Sequence, residues 1–324
     1  MTAAIALPVR QGSAEWLEMR KTGIGSSDMP IIAGESPYQS PLELWAAKTG
    51  LVPATVPDDA TRRLMDIGTR MEPVLLDLYE AETGRKARRV PRMLVHPQYP
   101  WARASLDAEA PVKRIVEAKW THARRWSAGD AVPADVVIQV QWQMFVAGRD
   151  VADVVALVGP ELRVVEVARD QSMIDDLLYL ANDFWRHVTD RIRPAIDGSE
   201  STRRTLVRMH PADDGTYLSA TPDLIELADR LRAAKAAKTA AEDAEKTVGN
   251  AIRAMVGDAS GVEGLLTYRK SADSTRTNWP AVASAYRGLL SSHETAALDA
   301  IESIHSETSH GPRVLRLSKE TSRD

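Results

Sequence analysis

Along the first two hundred positions the apolar residues switch between a helical period and an alternating one, which predicts a mixed α/β chain. Leu64, Ile67, Met71, Leu75 and Leu78 fall on one side of a helix over residues 62–83, and Gly84 follows as its stop. Ser40-Pro41-Leu42-Glu43 has the form of a helix start, with a serine cap, proline at the first helical position and glutamate three residues after the cap. Short runs at 89–95, 103–106 and 114–120 predict strands, and 134–147 predicts a helix. Residues 151–158 and 162–168 predict two strands around the Gly159-Pro160 turn, and 172–190 returns to helix.

Near residue 195 the character changes. Asp197-Gly198-Ser199-Glu200-Ser201 reads as a linker, dividing the chain into 1–198 and 199–324. An alanine-rich, charged stretch over 222–255 predicts one long helix, with Leu224, Leu227, Leu231, Ala234, Ala241, Val248, Ile252 and Met255 at heptad spacing. Lys238 and Glu245 interrupt that seam, and Gly257 is the expected stop. A strand is expected over 264–270, a short helix over 279–290, and a last strand or tail over 313–317. Residues 199–324 are thus read as a mainly helical accessory region for oligomerisation, partner or DNA contact. Alanine-rich heptads favour self-association or packing, while Arg203, Arg204 and Arg208 offer a DNA surface as the alternative.

Composition narrows the classes. A hydrophobic share of 44% over 324 residues is enough for a sizeable core. The longest apolar runs are short, and the one at 151–158 is broken by Asp153, so a bilayer span of roughly 20 residues is not expected. The N-terminus lacks the basic and apolar regions of a secretory signal. Cysteine is absent, which excludes a disulfide scaffold and a zinc–thiolate site. The net charge of −4 gives no global attraction to nucleic acid, so any such binding rests on local clusters. Arg85, Lys86, Arg88, Arg89 and Arg92 form one cluster, and Arg124 with Arg125 another.

The chemistry centres on Asp107, on Glu117 ten residues later, and on Lys119. Residues two apart on a strand face the same side, so Glu117 and Lys119 project together while Asp107 ends the neighbouring strand. Two carboxylates on adjacent strands can hold a hard divalent ion through oxygen. A lysine beside them can orient or deprotonate a water, or stabilise charge developing on a phosphate. Taken alone, Glu-x-Lys is a weak signal that more often marks an ordinary exposed pair on a half-buried strand.

Four further segments add weight in order. Arg20–Asp28 is a basic, Gly- and Ser-rich turn leading into a helix at Ser27 or Asp28, suited to a phosphate or simply to helix capping. Glu72 could supply a third carboxylate from a helix, or stand solvated. Gln139 and Gln143 share one helix face, whereas Gln141 points elsewhere. Tyr99-Pro100-Trp101 precedes the Asp107 strand, where Trp101 can stack on bases but is more at home in a core.

Together these segments resemble the YqaJ-like viral recombinase family, relatives of lambda exonuclease. The matching stretches are 20–38, 41–50, 68–84, 96–107, 117–119 and 139–148, and the resemblance spans about residues 14–190. It implies a PD-(D/E)XK core, a mixed central sheet flanked by helices, and Mg²⁺- or Mn²⁺-dependent 5′→3′ exonuclease digestion of linear double-stranded DNA. The 3′ single-stranded tails would serve recombination by a strand-annealing protein. Residue by residue, it implies Glu72, Asp107 and Glu117 as metal ligands, with the carbonyl of Ala118 as a further one. Lys119 is the implied catalytic lysine, Gln139 the glutamine near the centre, and Arg20 and Ser27 the holders of the DNA 5′-phosphate. Ser26, Gln143, Trp101 and Arg103 are further candidates for DNA contact. A homo-oligomeric ring (trimer or tetramer) acting in the bacterial cytoplasm, from a phage or prophage, is the implied setting, with no membrane. Two departures are visible: Leu106 stands where the motif's name has proline, and Ala108 follows Asp107 where glycine is usual. An endonuclease on the same core and a non-catalytic DNA-binding or scaffold protein are the alternatives.

Overall fold

The structure is a computed structural model that describes residues 4–53, 56–121, 126, 132–306 and 314–317. It divides into two compact units, Met1–Pro211 and Ala212–Asp324.

The first unit is built on a six-stranded sheet in sequence order: β1 (Ile5–Arg10), β2 (Arg88–Val95), β3 (Arg103–Ala110), β4 (Arg114–Thr121), β5 (Val151–Val158) and β6 (Glu161–Ala168). All neighbours are antiparallel except β4 and β5, which are parallel. A parallel pair needs a crossover, and α5 (Ala134–Ala147) lies in the connection between these two strands. The expected mixed sheet flanked by helices is therefore what forms.

The sheet alternates between two cores, because successive side chains on a strand face opposite ways. Val116 and Val155 pack with Leu75, Leu76 and Tyr79 of α4 (Asp59–Thr83). Ile115, Val154 and Ala156 join the larger core, which holds Val140, Trp142 and Met144 of α5. Helix α4 begins where the Asp58 carboxylate accepts from Thr61 N–H, and ends at Gly84, whose φ of 67° an L-residue adopts only with strain. Strand β3 runs on to Ala110, past the expected end at Leu106, because Ala108 and Ala110 are small and buried.

Four helices complete this unit: α1 (Ala14–Lys21), α3 (Pro41–Lys48), α6 (Gln171–Thr189) and α7 (Glu200–Met209), with the single turn α2 (Met29–Ile32) between the first two. Ser40 caps α3 as expected, accepting from Glu43 N–H at 3.3 Å. Residues 197–201 are not only a linker, since Ser199 caps α7 and this helix belongs to the first unit. The buried hydroxyl of Ser201 donates to Glu43 and accepts from Ser40 N–H at 2.9 Å, while Leu206 and Met209 pack on the larger core. The unit thus ends near Pro211, beyond the boundary at 198 suggested by composition.

In the second unit α8 (Pro222–Val256) is the expected long helix, with Thr221 as its cap and Gly257 after it. The strand expected over 264–270 shrinks to β8 (Leu266–Thr267), paired with β7 (Gly261–Val262). Helix α9 (Trp279–Arg287) matches the expected short helix, and α10 (Ser292–His305) was not anticipated. Residues 314–317 form no regular element. Among the described residues no helix is long and apolar enough to cross a membrane.

A chain ending after Pro211 should keep the first unit's melting temperature. One ending after Gly198 should melt earlier, because Glu43, 6% exposed, loses Ser201, an unmade bond costing about 1–3 kcal/mol. Thermal denaturation of the two truncations checks this.

Candidate active site

Strands β3 and β4 bring the carboxylates together. Ala108 pairs with Val116 in antiparallel register, and one further step places Asp107 opposite Glu117. Asp107 Oδ2 accepts from Ala118 N–H at 2.9 Å. Glu117 is 3% exposed. Its Oε1 accepts from Gln139 Nε2 at 2.6 Å and lies 2.6 Å from Lys119 Nζ. Its Oε2 accepts from Gln143 Nε2 at 2.7 Å. Lys119 Nζ also donates to Gln139 Oε1 at 3.0 Å. The two glutamines sit one turn apart on α5, so a single helix face grips both carboxylate oxygens. Gln141, pointing elsewhere, bonds to Ala168 carbonyl at 2.8 Å and to Asp170 N–H at 2.9 Å.

Charge at this spot is unbalanced. Burial, and then the Glu117 charge beside it, pushes the Asp107 carboxyl well above the usual carboxylate range; Lys119 and the Ala118 N–H oppose this, and Glu72 adds to it. Burial works against the Lys119 ammonium, but Glu117 and Asp107 outweigh it and hold the lysine above its ordinary value. An all-oxygen donor pair with excess negative charge suits a hard divalent cation. The third expected ligand is not drawn in. Glu72, on α4, is felt by Asp107, yet its carboxylate is paired with Arg89. Among the described residues no three acidic or imidazole groups converge closely enough to enclose a metal. Asp107 and Glu117 therefore fit such an ion, and Glu72 lies at the rim.

A second feature adjoins the first. Arg20, in the last turn of α1, donates Nη2 to Ser27 Oγ at 3.1 Å and to Asp28 Oδ1 at 3.4 Å. Its guanidinium carbon lies 4.8 Å from the Trp16 ring centroid, a cation–π contact. Buried Asp28 is the anchor of the turn: it accepts from Lys48 Nζ at 2.8 Å and from Gly25 N–H at 2.9 Å. Burial opposes its ionisation, but Lys48 and Arg20 prevail and hold its carboxyl below the usual range. Lys48 also donates to the carbonyls of Arg20 and Gly23, at 3.0 and 2.7 Å. Gly23 has no alternative, because a Cβ there would lie 2.5 Å from the Trp101 carbonyl oxygen. The turn is stitched to β3 by Ile24 N–H to Trp101 carbonyl at 2.6 Å and Arg103 N–H to Ile24 carbonyl at 2.8 Å.

Between turn and strand lies a small cleft lined by Trp16, Arg20, Gly25, Ser26, Ser27, Met93, Arg103, Ala104 and Ser105. Ser105 is two residues before Asp107, and Gln143 Nε2 also donates to its carbonyl at 3.2 Å. The cleft and Asp107 thus share strand β3. Ser105, Trp16 and Lys48 were not singled out from sequence. Ser105 is legible afterwards from its two-residue spacing to Asp107, and Trp16 from its four-residue spacing to Arg20.

The remaining candidates divide. Ser26 lines the cleft, though its residue is buried. Arg103 lines it too, but its guanidinium turns to the Met19 carbonyl. Trp101 stacks in the core with Trp142 and Trp185, ring centroids 6.2 and 6.4 Å apart. Gln143 is fully buried and holds Glu117, so it does not face DNA. Of the basic cluster, Arg85 bonds Asp153, Lys86 bonds Glu80 and Arg89 bonds Glu72, while Arg88 and Arg92 are exposed. Arg124 and Arg125 lie outside the described residues.

Residues 15–150 match the sequence profile of the YqaJ-like viral recombinase domain. The uncharacterised protein YqaJ of Bacillus subtilis (strain 168) is 31% identical over 204 residues, which are 60% of this chain and 63% of that protein. The chain thus spans less than two thirds of that relative's length. That profile is of the family the sequence resembles. Among solved structures, LHK-Exo in complex with dAMP aligns at 20% identity and a TM-score of 0.47, covering 56% of this chain and 94% of that one. The alkaline exonuclease LHK-Exo from Laribacter hongkongensis aligns at 20% and 0.46, covering 61% and 100%.

Because the folded pKa of Asp107 is raised, its proton stabilises the fold at low pH. That contribution is complete below the unfolded value near 3.9 and is lost as pH rises through the folded one. Asp107→Asn should therefore raise the melting temperature of chelator-treated protein by a few degrees at neutral pH and by less at pH 4. Added Mg²⁺ should stabilise the parent and not the variant. Differential scanning calorimetry with and without Mg²⁺ checks both.

Proposed function

We propose that this chain is a divalent-cation-dependent nuclease that digests linear duplex DNA from its 5′ ends, leaving 3′ single-stranded tails for a strand-annealing recombination partner. The observation that carries this reading is the Asp107–Glu117–Lys119 group on paired strands, clamped by Gln139 and Gln143. Asp107 and Glu117 would hold Mg²⁺ or Mn²⁺, and Glu72, paired with Arg89 through one oxygen and felt by Asp107, is the further acid at hand. When bound, the ion supplies Lewis-acid stabilisation of phosphate charge and a water of lowered pKa.

The chain's own residues do the rest. Gln139 and Gln143 fix the Glu117 rotamer, leaving little reorganisation when phosphate arrives. Lys119, kept as an ammonium by its acidic neighbours, is held against Gln139 where it can donate to a water or a phosphate oxygen. Arg20 and Ser27, with Ser105 across the cleft, suit the dianion of a terminal 5′-phosphate better than the single charge of an internal phosphodiester. A site for the end beside a site for cleavage favours an exonuclease over an endonuclease. The viral-recombinase family supports the annealing partner. Digestion of end-labelled linear duplex beside a closed circle, with and without Mg²⁺, tests this function. Mg²⁺-dependent loss of 5′ label from the linear form alone is expected, and cutting of the circle would replace the reading with an endonuclease.

Lys119→Ala should lower the single-turnover cleavage rate at least about a hundredfold while leaving DNA-end affinity within a few fold, because binding draws on many phosphate contacts. Arg20→Ala should lose a charge-assisted contact of roughly 1.5–3 kcal/mol, or about ten- to a hundredfold in initiation, on 5′-phosphorylated ends. On 5′-hydroxyl ends it should change little. Initiation rates of parent and variant on the two kinds of end decide this.

A further inference from the structure

Helix α8 buries none of its residues, although its sequence carries a heptad seam, apolar except at Lys238 and Glu245. Of the apolar members of that seam Leu231 is half-buried, and the others stand open: Leu224 is 49% exposed, Leu227 56%, Val248 59%, Ile252 40% and Met255 89%. Such a face calls for a cover. The arrangement of its charges and sizes says which.

The seam positions are 224, 227, 231, 234, 238, 241, 245, 248, 252 and 255, alternating three and four apart. Read from either end, this series is the same. A second copy laid antiparallel therefore faces every seam position with a seam position, pairing the first and second positions of the heptad as antiparallel coiled coils require. In that register Leu224 meets Met255, Leu227 meets Ile252 and Leu231 meets Val248, so both outer thirds pair large apolar residues. The centre pairs long charged side chains with alanine: Lys238 meets Ala241, and Ala234 meets Glu245. Each charged chain has room beside a methyl group instead of colliding with another long chain.

Charge agrees with size. The middle of the helix is basic over Arg230, Arg232, Lys235 and Lys238, then acidic over Glu242, Asp243 and Glu245. Turning the second copy end for end lays the basic block on the acidic one, twice. Lys235 then flanks Glu242 of the second copy, and Lys238 lies between its Glu242 and Glu245. Within one chain Lys238 Nζ is 3.6 Å from Glu242 Oε1, an exposed contact of little worth that can be exchanged for the intermolecular one. A parallel pair would set Lys238 against Lys238 and Glu245 against Glu245. The polar seam positions thus select orientation, a role buried polar residues fill in coiled coils. The other flank is small, with alanine at 237, 244 and 251, so the helices can approach closely on that side.

We propose that α8 is the interface with a second copy of this chain, an isologous antiparallel helix pair whose register is set by Lys238 and Glu245. This goes beyond the nuclease reading and does not depend on it.

The chain has no cysteine, so introduced thiols report alone. Leu227 and Ile252 are 25 residues apart, roughly 38 Å along the helix at about 1.5 Å per residue. In full-length protein treated with a short bis-maleimide, an equimolar mixture of Leu227→Cys and Ile252→Cys should cross-link to dimers. Each variant by itself should not. Cross-linking of Leu227→Cys with itself would show a parallel pair, and absence of dimers in the mixture would show no pairing; either overturns the proposal. Charge gives an independent check. Lys235→Glu/Lys238→Glu leaves positions 235, 238, 242 and 245 all acidic, and Glu242→Lys/Glu245→Lys leaves the same four positions all basic. Neither should cross-link when introduced into the mixture of both thiol variants, the dimer yield falling on the order of tenfold. Placing the acidic set on one thiol variant and the basic set on the other should restore it, which also shows that the helices still fold. Failure to restore it while both proteins keep the parent's helical circular dichroism would again overturn the proposal. Cleavage of DNA enters none of these readouts, so failure here and failure of the nuclease function are separable.

Discussion

A carboxylate with 3% exposure is costly unless its lone pairs are met, and Glu117 meets them with Lys119, Gln139 and Gln143. Much of the first unit follows from that requirement. The two amides must come from one helix face, which fixes the rotation of α5 over the sheet. That rotation buries Val140, Trp142 and Met144 between the glutamines and their neighbours. The helix in turn occupies the crossover that lets β4 and β5 run parallel. The chemistry and the core are thus held by the same element. Removing one glutamine would leave a buried carboxylate short of a donor, so it would cost stability as well as activity.

The turn that carries Arg20 is held by a different balance. Lys48 and Asp28 neutralise each other out of water, with every remaining donor of the lysine directed to a turn carbonyl. A buried pair of this kind contributes little net stability compared with apolar packing, but it admits only one geometry. That geometry sets Ser27 beside Arg20 and keeps the guanidinium over Trp16. Trp16 in turn donates its indole N–H to Ser105 Oγ at 3.1 Å. A phosphate arriving in the cleft would therefore meet donors that are already oriented.

Apolar periodicity carried the sequence reading as far as apolar faces exist. Helices α4, α5 and α6 and strands β2 to β5 bury such faces, β6 half-buries Val165 and Val167 against the core, and their positions were legible to within a few residues. Helix α7 was not, because what it buries is Ser201, Thr202 and Thr205, a face that a hydrophobic pattern cannot register. Strand β1 was missed for a related reason: it is a sheet edge containing Pro8, and none of its residues is buried. At the site, Asp107, Glu117, Lys119 and Gln139 were legible because strand and helix spacings fix which side chains share a face. Gln143 was found for the right face but given the wrong neighbour, since spacing does not say which polar group lies opposite. Lys48 carries no local signal at all. Its role exists only through contacts with residues 20, 23 and 28, which the fold supplies.

Two aspartates of this unit, Asp28 and Asp107, show how the fold separates structure from chemistry. Desolvation works against the ionisation of both, yet their carboxyls are driven in opposite directions. At Asp28 the nearest charges are Lys48 and Arg20, so the carboxylate is favoured and its interactions are complete. At Asp107 the dominant neighbour is Glu117, so the carboxylate is disfavoured. Lys119 does not cancel that repulsion, because its shortest contact is to Glu117 itself. A group of two acids and one base retains one unit of negative charge when all are ionised. Evolution toward stability alone would replace one acid with an amide, which keeps the Ala118 hydrogen bond and ends the repulsion. Keeping both acids makes sense where a cation is to be captured, since the repulsion is then returned as affinity for the ion.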